Sequence, residues 1–132
     1  MKAVEINKTG GPEVLELKDI SLEKPGPDQV TIEQKAIGLN YIDTYHRSGL
    51  YPLKLPIGLG LEGAGVITDL GENVKDFKVG DKISYAGIPL GSYSSHRNYP
   101  TKNLVKVPDD IDLEIAISRS ISSGTFTKFL VG

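Results

Sequence analysis

The chain has 132 residues, a formal net charge of −2 and no cysteine. That length suits one domain with a core of its own, and the missing thiols exclude disulfides, thiolate nucleophiles and thiolate metal sites. The weak acidity argues against a dedicated nucleic-acid binder, and no apolar run nears the ~20 residues that span a membrane. Lys2 and Glu5 leave no room for an apolar signal segment. The cytoplasm is the expected compartment, and Asn7-Lys8-Thr9 is read as a chance sequon.

Fifteen glycines and eight prolines punctuate short apolar stretches, a texture of strands and turns rather than long helices. Val4 and Ile6 alternate with polar neighbours up to the turn at Gly10-Gly11-Pro12. Leu15 and Leu17 alternate with Glu16 and Lys18 before Pro25-Gly26-Pro27-Asp28, and Val30 and Ile32 alternate with Thr31 and Glu33. Each is the period of a half-buried strand. From Gly38 to Arg47 the alternation breaks, and Asn40 or Asp43 could cap a short helix. Further strands are expected from Gly63 to Asp69, Lys82 to Ala86, Ser92 to Tyr99 and Leu104 to Val107. Six to eight short strands at this spacing predict a closed or partly closed β-barrel. Asp112 could cap a helix starting at Leu113 to Ile117. The tail from Ser118 to Gly132 is rich in serine and glycine and carries Phe126, Phe129, Leu130 and Val131.

Three motifs bear on function. Gly58-Leu59-Gly60-Leu61-Glu62-Gly63 fits G-x-G-x-x-G, but prolines stand upstream and a strand pattern follows. A dinucleotide fingerprint needs a strand before it and a helix after it, so the run is read as a turn feeding a strand. His46 and His96 are the only histidines. A metal site with Glu62 has no supporting spacing, and both are read as polar surface or lining residues. Residues 40–52 are densest in polar and aromatic groups. On a helical turn Asn40 and Asp43 share a face, as do Asp43 and Arg47. The plain reading is a capped turn with an Asp43–Arg47 ion pair and tyrosines packed on the barrel.

Several segments carry a resemblance. Lys2-Ala3-Val4, Thr9 through Leu15, Lys35 through Asp43, Tyr45 through Pro52, Glu62 through Val66, Lys78-Val79-Gly80-Asp81 and Tyr85 through Tyr93 resemble the NADPH:quinone oxidoreductase family. That family lies within the medium-chain dehydrogenase/reductase superfamily and includes relatives of zeta-crystallin. The likeness runs in register from Met1 to about Ile117. It implies a mainly β fold with short helices: the GroES-like, partly open β-barrel of the catalytic domain. In zinc-bearing relatives a cysteine stands in the place of Asn40 and a histidine in that of Leu61, so the resemblance implies the zinc-free branch, with no metal. It also implies that Asn40, Ile42, Asp43, Tyr45 and Tyr51 line the nicotinamide and substrate cleft. Asn40, Ile42, Asp43 and Tyr45 would contact NADP(H). Asn40, Tyr45 and Tyr51 would take the catalytic roles: a tyrosine to hydrogen-bond the quinone oxygen or pack on a ring, the amide to orient the nicotinamide or a water.

The chain also departs from that family. The Rossmann domain of roughly 150 residues, which holds most of the cofactor, has no counterpart in it. Ser123-Gly124-Thr125-Phe126 replaces the usual Lys-Gly-Met/Leu-Thr, Ile117-Ser118-Arg119-Ser120-Ile121 replaces an alanine-rich helix, and Leu59-Gly60 replaces Pro-Gly. The expectation is a catalytic domain over residues 1–116 and a divergent tail over 117–132, inactive alone. A Rossmann domain would come in trans or from an intact gene, with a quinone as substrate and neither nucleic acid nor membrane as partner. The family is often homodimeric through the domain lacking here. The alternatives are a non-catalytic quinone-binding or interaction module, and the remnant of a degraded gene with a sticky apolar terminus.

Overall fold

A computed structural model describes residues 1–113 and the backbone of residues 126–130. In chain order it contains β1 (Lys2–Ile6), β2 (Glu16–Asp19), β3 (Gln29–Asn40), α1 (Tyr41–Ser48), β4 (Ile57–Gly58), β5 (Glu62–Leu70), β6 (Lys82–Ala86), β7 (His96–Pro100), β8 (Leu104–Lys106) and β9 (Phe126–Leu130). All pairings are antiparallel. A small sheet runs β2-β1-β4, and a larger one runs β7-β3-β5-β6-β8 with β9 also on β3.

Long β3 organises the larger sheet. Its Val30–Gly38 stretch pairs with β5 along one edge. On the other edge β7 takes Gln29–Glu33 and β9 takes Ala36–Asn40. The sheets meet where Val4 N–H donates to the Tyr93 carbonyl and Ser95 N–H to that of Lys2, both at 2.8 Å. They do not close on each other, so the barrel is partly open, as the strand pattern predicts.

Two apolar clusters hold this arrangement. Val30, Ile32, Ile67, Ile83, Tyr85 and Tyr99 fill the large sheet. Ile6, Val14 and Leu59 fill the space between the small sheet and the turn before β5. Each fully buried aliphatic side chain among them contributes about 1.5–3 kcal/mol. A polar network runs through the first cluster. Gln34 donates to the carbonyls of Ser92 and Ser94, each at 2.8 Å, and accepts the Tyr85 hydroxyl. Gly63 makes room for it: a Cβ there would lie 2.2 Å from Gln34 Oε1 and 2.6 Å from the Tyr85 hydroxyl.

Arg97 is 7% exposed and stacks over the rings of Tyr99 and Tyr85, at 4.7 and 5.2 Å from their centroids. Its Nη2 donates to the carbonyls of Pro89 and Leu90. The Tyr99 hydroxyl lies 3.1 Å from those of Gly87 and Ile88. Two side chains of β7 therefore hold four consecutive carbonyls of the 87–90 loop.

The structure corrects four sequence expectations. The segment Ser92 to Ser95 lies outside β7, because its backbone crosses between the sheets and bonds to Gly60, Leu59 and β1. Leu17 is 69% exposed and Leu15, just before β2, is 38% exposed, since β2 is the edge strand of the small sheet and both lie outside the core clusters. In β1 it is Ala3 and Ile6, not Val4 and Ile6, that are buried. The strand at Phe126–Leu130 was not expected. The helix expected at Leu113 to Ile117 and the rest of the tail lie outside the described residues, as does any account of the apolar tail side chains.

Candidate functional site

Helix α1 begins because β3 delivers Asn40 in an extended conformation, φ −131° and ψ 155°, to the N-cap position. The Asp43 carboxylate reaches back to accept the Asn40 N–H at 3.1 Å, satisfying a donor the helix leaves unpaired. Gly49, in the left-handed region at φ 90°, ends the helix. The Asn40 side chain donates to Oε2 of fully buried Glu62 at 3.3 Å. This contact fixes the amide at the start of the helix.

On the inner face, Asn40, Asp43, Thr44 and Arg47 recur at helical spacing and border a half-open cavity of about 200 Å³ lined also by Leu15, Leu39, Leu59 and Tyr93. Asp43 is 4% exposed. Its Oδ2 also accepts the Tyr93 hydroxyl at 2.5 Å, while its buried Oδ1 has no hydrogen-bond partner. Burial holds this carboxyl above its ordinary 3.8, against the opposing hydrogen bonds from Tyr93 and Asn40 and the charge of His46. Burial and the Asp43 carboxylate push the Tyr93 phenol upward too, so it stays a donor. The expected Asp43–Arg47 ion pair is absent. Asp43 turns to the helix N-terminus and Tyr93, and Arg47 Nε donates instead to the Gly10 carbonyl at 3.3 Å.

The outer face carries the aromatic groups. Tyr45 and Tyr51 are 39% and 49% exposed and meet edge to face, with centroids 5.7 Å apart and planes at 86°. Their backbones are joined by Tyr51 N–H to the Tyr45 carbonyl at 3.3 Å. His46 is buried, its ring 6.1 Å from that of Tyr51 and its Nδ1 unpartnered. Ile42 is half-buried, whereas Tyr41 stands in solvent, so the tyrosines do not all pack on the barrel.

The five residues singled out from the sequence thus divide. Asn40 and Asp43 border the inner cavity, while Tyr45 and Tyr51 form an exposed pair on the outer side; Ile42 falls on that side by helical spacing. Sequence reasoning missed Tyr93 as the partner of Asp43. It lay within an alternation read as strand, and its role depends on a contact 50 residues away in sequence. His96 belongs to β7, 3.7 Å from Glu33. Among the described residues no three His, Asp or Glu side chains are grouped to hold a metal ion. The glycine-rich run at 58–63 turns at Gly60, φ 100°, and enters β5 rather than a helix. A larger depression, bordered by Lys24, Pro25, Pro27 and residues 69–72, holds none of the candidates.

The profile described as alcohol dehydrogenase GroES-like domain matches residues 26–109. A quinone oxidoreductase of Pseudomonas aeruginosa is 47% identical over 131 residues, which are 98% of this chain and 40% of that protein. A 2-haloacrylate reductase of a Burkholderia species is 43% identical over 116 residues, 85% of this chain and 35% of that one. Among solved structures, the quinone oxidoreductase of Escherichia coli complexed with NADPH superposes with a TM-score of 0.87 at 42% identity. That match covers 90% of this chain and 37% of that one. The chain therefore spans about two fifths of the length of these relatives.

Proposed function

Because the chain belongs to the family of alcohol dehydrogenase GroES-like domains, we propose that it supplies the catalytic domain, residues 1–116, of a metal-free NADPH:quinone oxidoreductase. The observation that carries this reading is the outer face of α1, where Tyr45 and Tyr51 present two phenols on the side that helical spacing gives Ile42; Asn40 caps the same helix, its amide held by Glu62. Flat rings with hydroxyls at their edges suit the stacking of planar substrates and the binding of a carbonyl oxygen. The similarity to quinone oxidoreductases of known structure, one complexed with NADPH, supports the same assignment.

The nicotinamide end of NADPH fits these residues: Ile42 gives an apolar contact, Tyr45 a flat one, and Asn40 keeps a second amide proton beyond the one given to Glu62. The phosphates find no helix N-terminus after the glycine run, so the rest of the grip belongs to a Rossmann domain outside this chain. When bound, NADPH supplies a hydride. Tyr45 or Tyr51 would donate a hydrogen bond to the quinone oxygen on which negative charge develops, and the second amide proton of Asn40 would orient the nicotinamide or a water. Asp43, engaged with Asn40 and Tyr93, holds the first turn of α1. A cysteine-free, mildly acidic chain suits the cytoplasm.

Joining this chain at residue 116 to the remaining length of the Pseudomonas aeruginosa relative tests the reading. The joined protein is expected to reduce a quinone at the expense of NADPH, and the 132-residue chain alone is expected not to. A joined protein that folds and binds NADPH but leaves quinones unreduced would refute it.

A further inference from the structure

The cavity on the inner side of α1 lies apart from the aromatic face and has a chemistry of its own. Its volume, about 200 Å³, is below the ~300 Å³ where drug-sized pockets begin, and matches a ligand of a single small ring. Leu15, Leu39 and Leu59 give it apolar walls. Its polar groups are mostly engaged: Asn40 with Glu62, Thr44 with the Tyr41 carbonyl, Tyr93 with Asp43. Arg47 is the exception. Its Nε donates to Gly10, but among the described residues its two terminal nitrogens have no acceptor, and it is the one cation among the described residues on the cavity wall. A half-buried guanidinium with unused donors recognises a carboxylate by paired, charge-assisted hydrogen bonds. Asp43 lies one turn away, with Oδ2 held by the Tyr93 hydroxyl and the Asn40 N–H and Oδ1 shut away from solvent. Little of its charge therefore faces the cavity.

We propose that this cavity binds a small monocarboxylate with a compact apolar body, Arg47 holding the carboxylate and the three leucines the body. The cavity borders Asn40 and Asp43, which the proposed function also uses, but it includes neither Tyr45 nor Tyr51, and its test reads ligand binding rather than quinone reduction.

The probes are benzoate and its neutral isostere benzamide, titrated into the 132-residue chain and followed by amide and methyl NMR shifts. Benzoate is expected to give saturable shifts at Leu39, Thr44, Leu59 and Tyr93. Benzamide is expected to bind about tenfold more weakly or worse, the loss anticipated for a charge-assisted contact. Arg47→Gln should weaken benzoate by a similar factor, and Arg47→Lys should retain part of the affinity. Because Arg47 also anchors Gly10, Leu15→Trp serves as a second variant: it fills the cavity from its exposed rim and should abolish the shifts while Arg47 is intact. Equal binding of the two probes, full affinity in Leu15→Trp, or unsaturated shifts scattered over surface lysines would overturn the proposal.

Discussion

Asp43 concentrates the physics of the site in one side chain. A carboxyl whose pKa is higher in the fold than in the unfolded chain binds its proton more tightly when folded. The stability it confers is complete below the unfolded value and is lost as pH rises through the folded midpoint. Burial places Asp43 in that class. The melting temperature of Asp43→Asn is therefore expected to gain on that of the wild type as pH rises from about 3.8. A difference independent of pH would contradict the assignment. Tyr93→Phe removes the donor to Oδ2 and should cost about 1.5–3 kcal/mol, the range for hydrogen bonds to charged groups, read by denaturant unfolding. It should also move the carboxyl titration, followed by carbon NMR, further up. The sequence placed Asp43 on a capped turn but gave it Arg47 as partner. Helical spacing can name a neighbour one turn away, whereas Tyr93 arrives through the fold of a loop between two sheets.

At the scale of elements, alternation marked the strands well where both neighbours of a strand are strands. Val30 and Ile32 of β3 and Ile83 and Tyr85 of β6 are buried as strand residues, but so are Thr31 and Ser84 between them, because these inner strands are covered on both faces there. It misled at edges and crossings. Leu17 keeps the period of a strand in an exposed position on an edge strand, and Ser92 to Ser95 keeps it while passing from one sheet to the other. The clamp on the 87–90 loop was invisible for a related reason. Arg97 and Tyr99 sit two residues apart on β7, so their side chains share a face, but the carbonyls they hold are those of a loop with no periodicity. Arg97→Lys keeps the charge but loses the stacked, forked geometry. It is expected to destabilise the fold by about 1.5–3 kcal/mol, as a lower denaturant midpoint at unchanged slope. No change in midpoint would show that the loop is held by other means.

For the whole molecule, strand count and turn spacing predicted a closed or partly closed barrel, and the resemblance narrowed it to the partly open GroES-like form that the family match over residues 26–109 supports. The division of the candidate residues between two sides of α1 was not predicted, because a linear motif carries no face until the helix axis is set against β3. That division separates an exposed aromatic face from a half-open cavity, and the proposed ring chemistry belongs to the first. The most direct test is single-turnover reduction of a quinone by the joined protein at saturating NADPH, comparing wild type with the Tyr45→Phe/Tyr51→Phe double variant. Loss of the phenolic donors should slow the step by at least about tenfold while NADPH affinity is kept. An unchanged rate would place the reacting ring somewhere other than the outer face of α1.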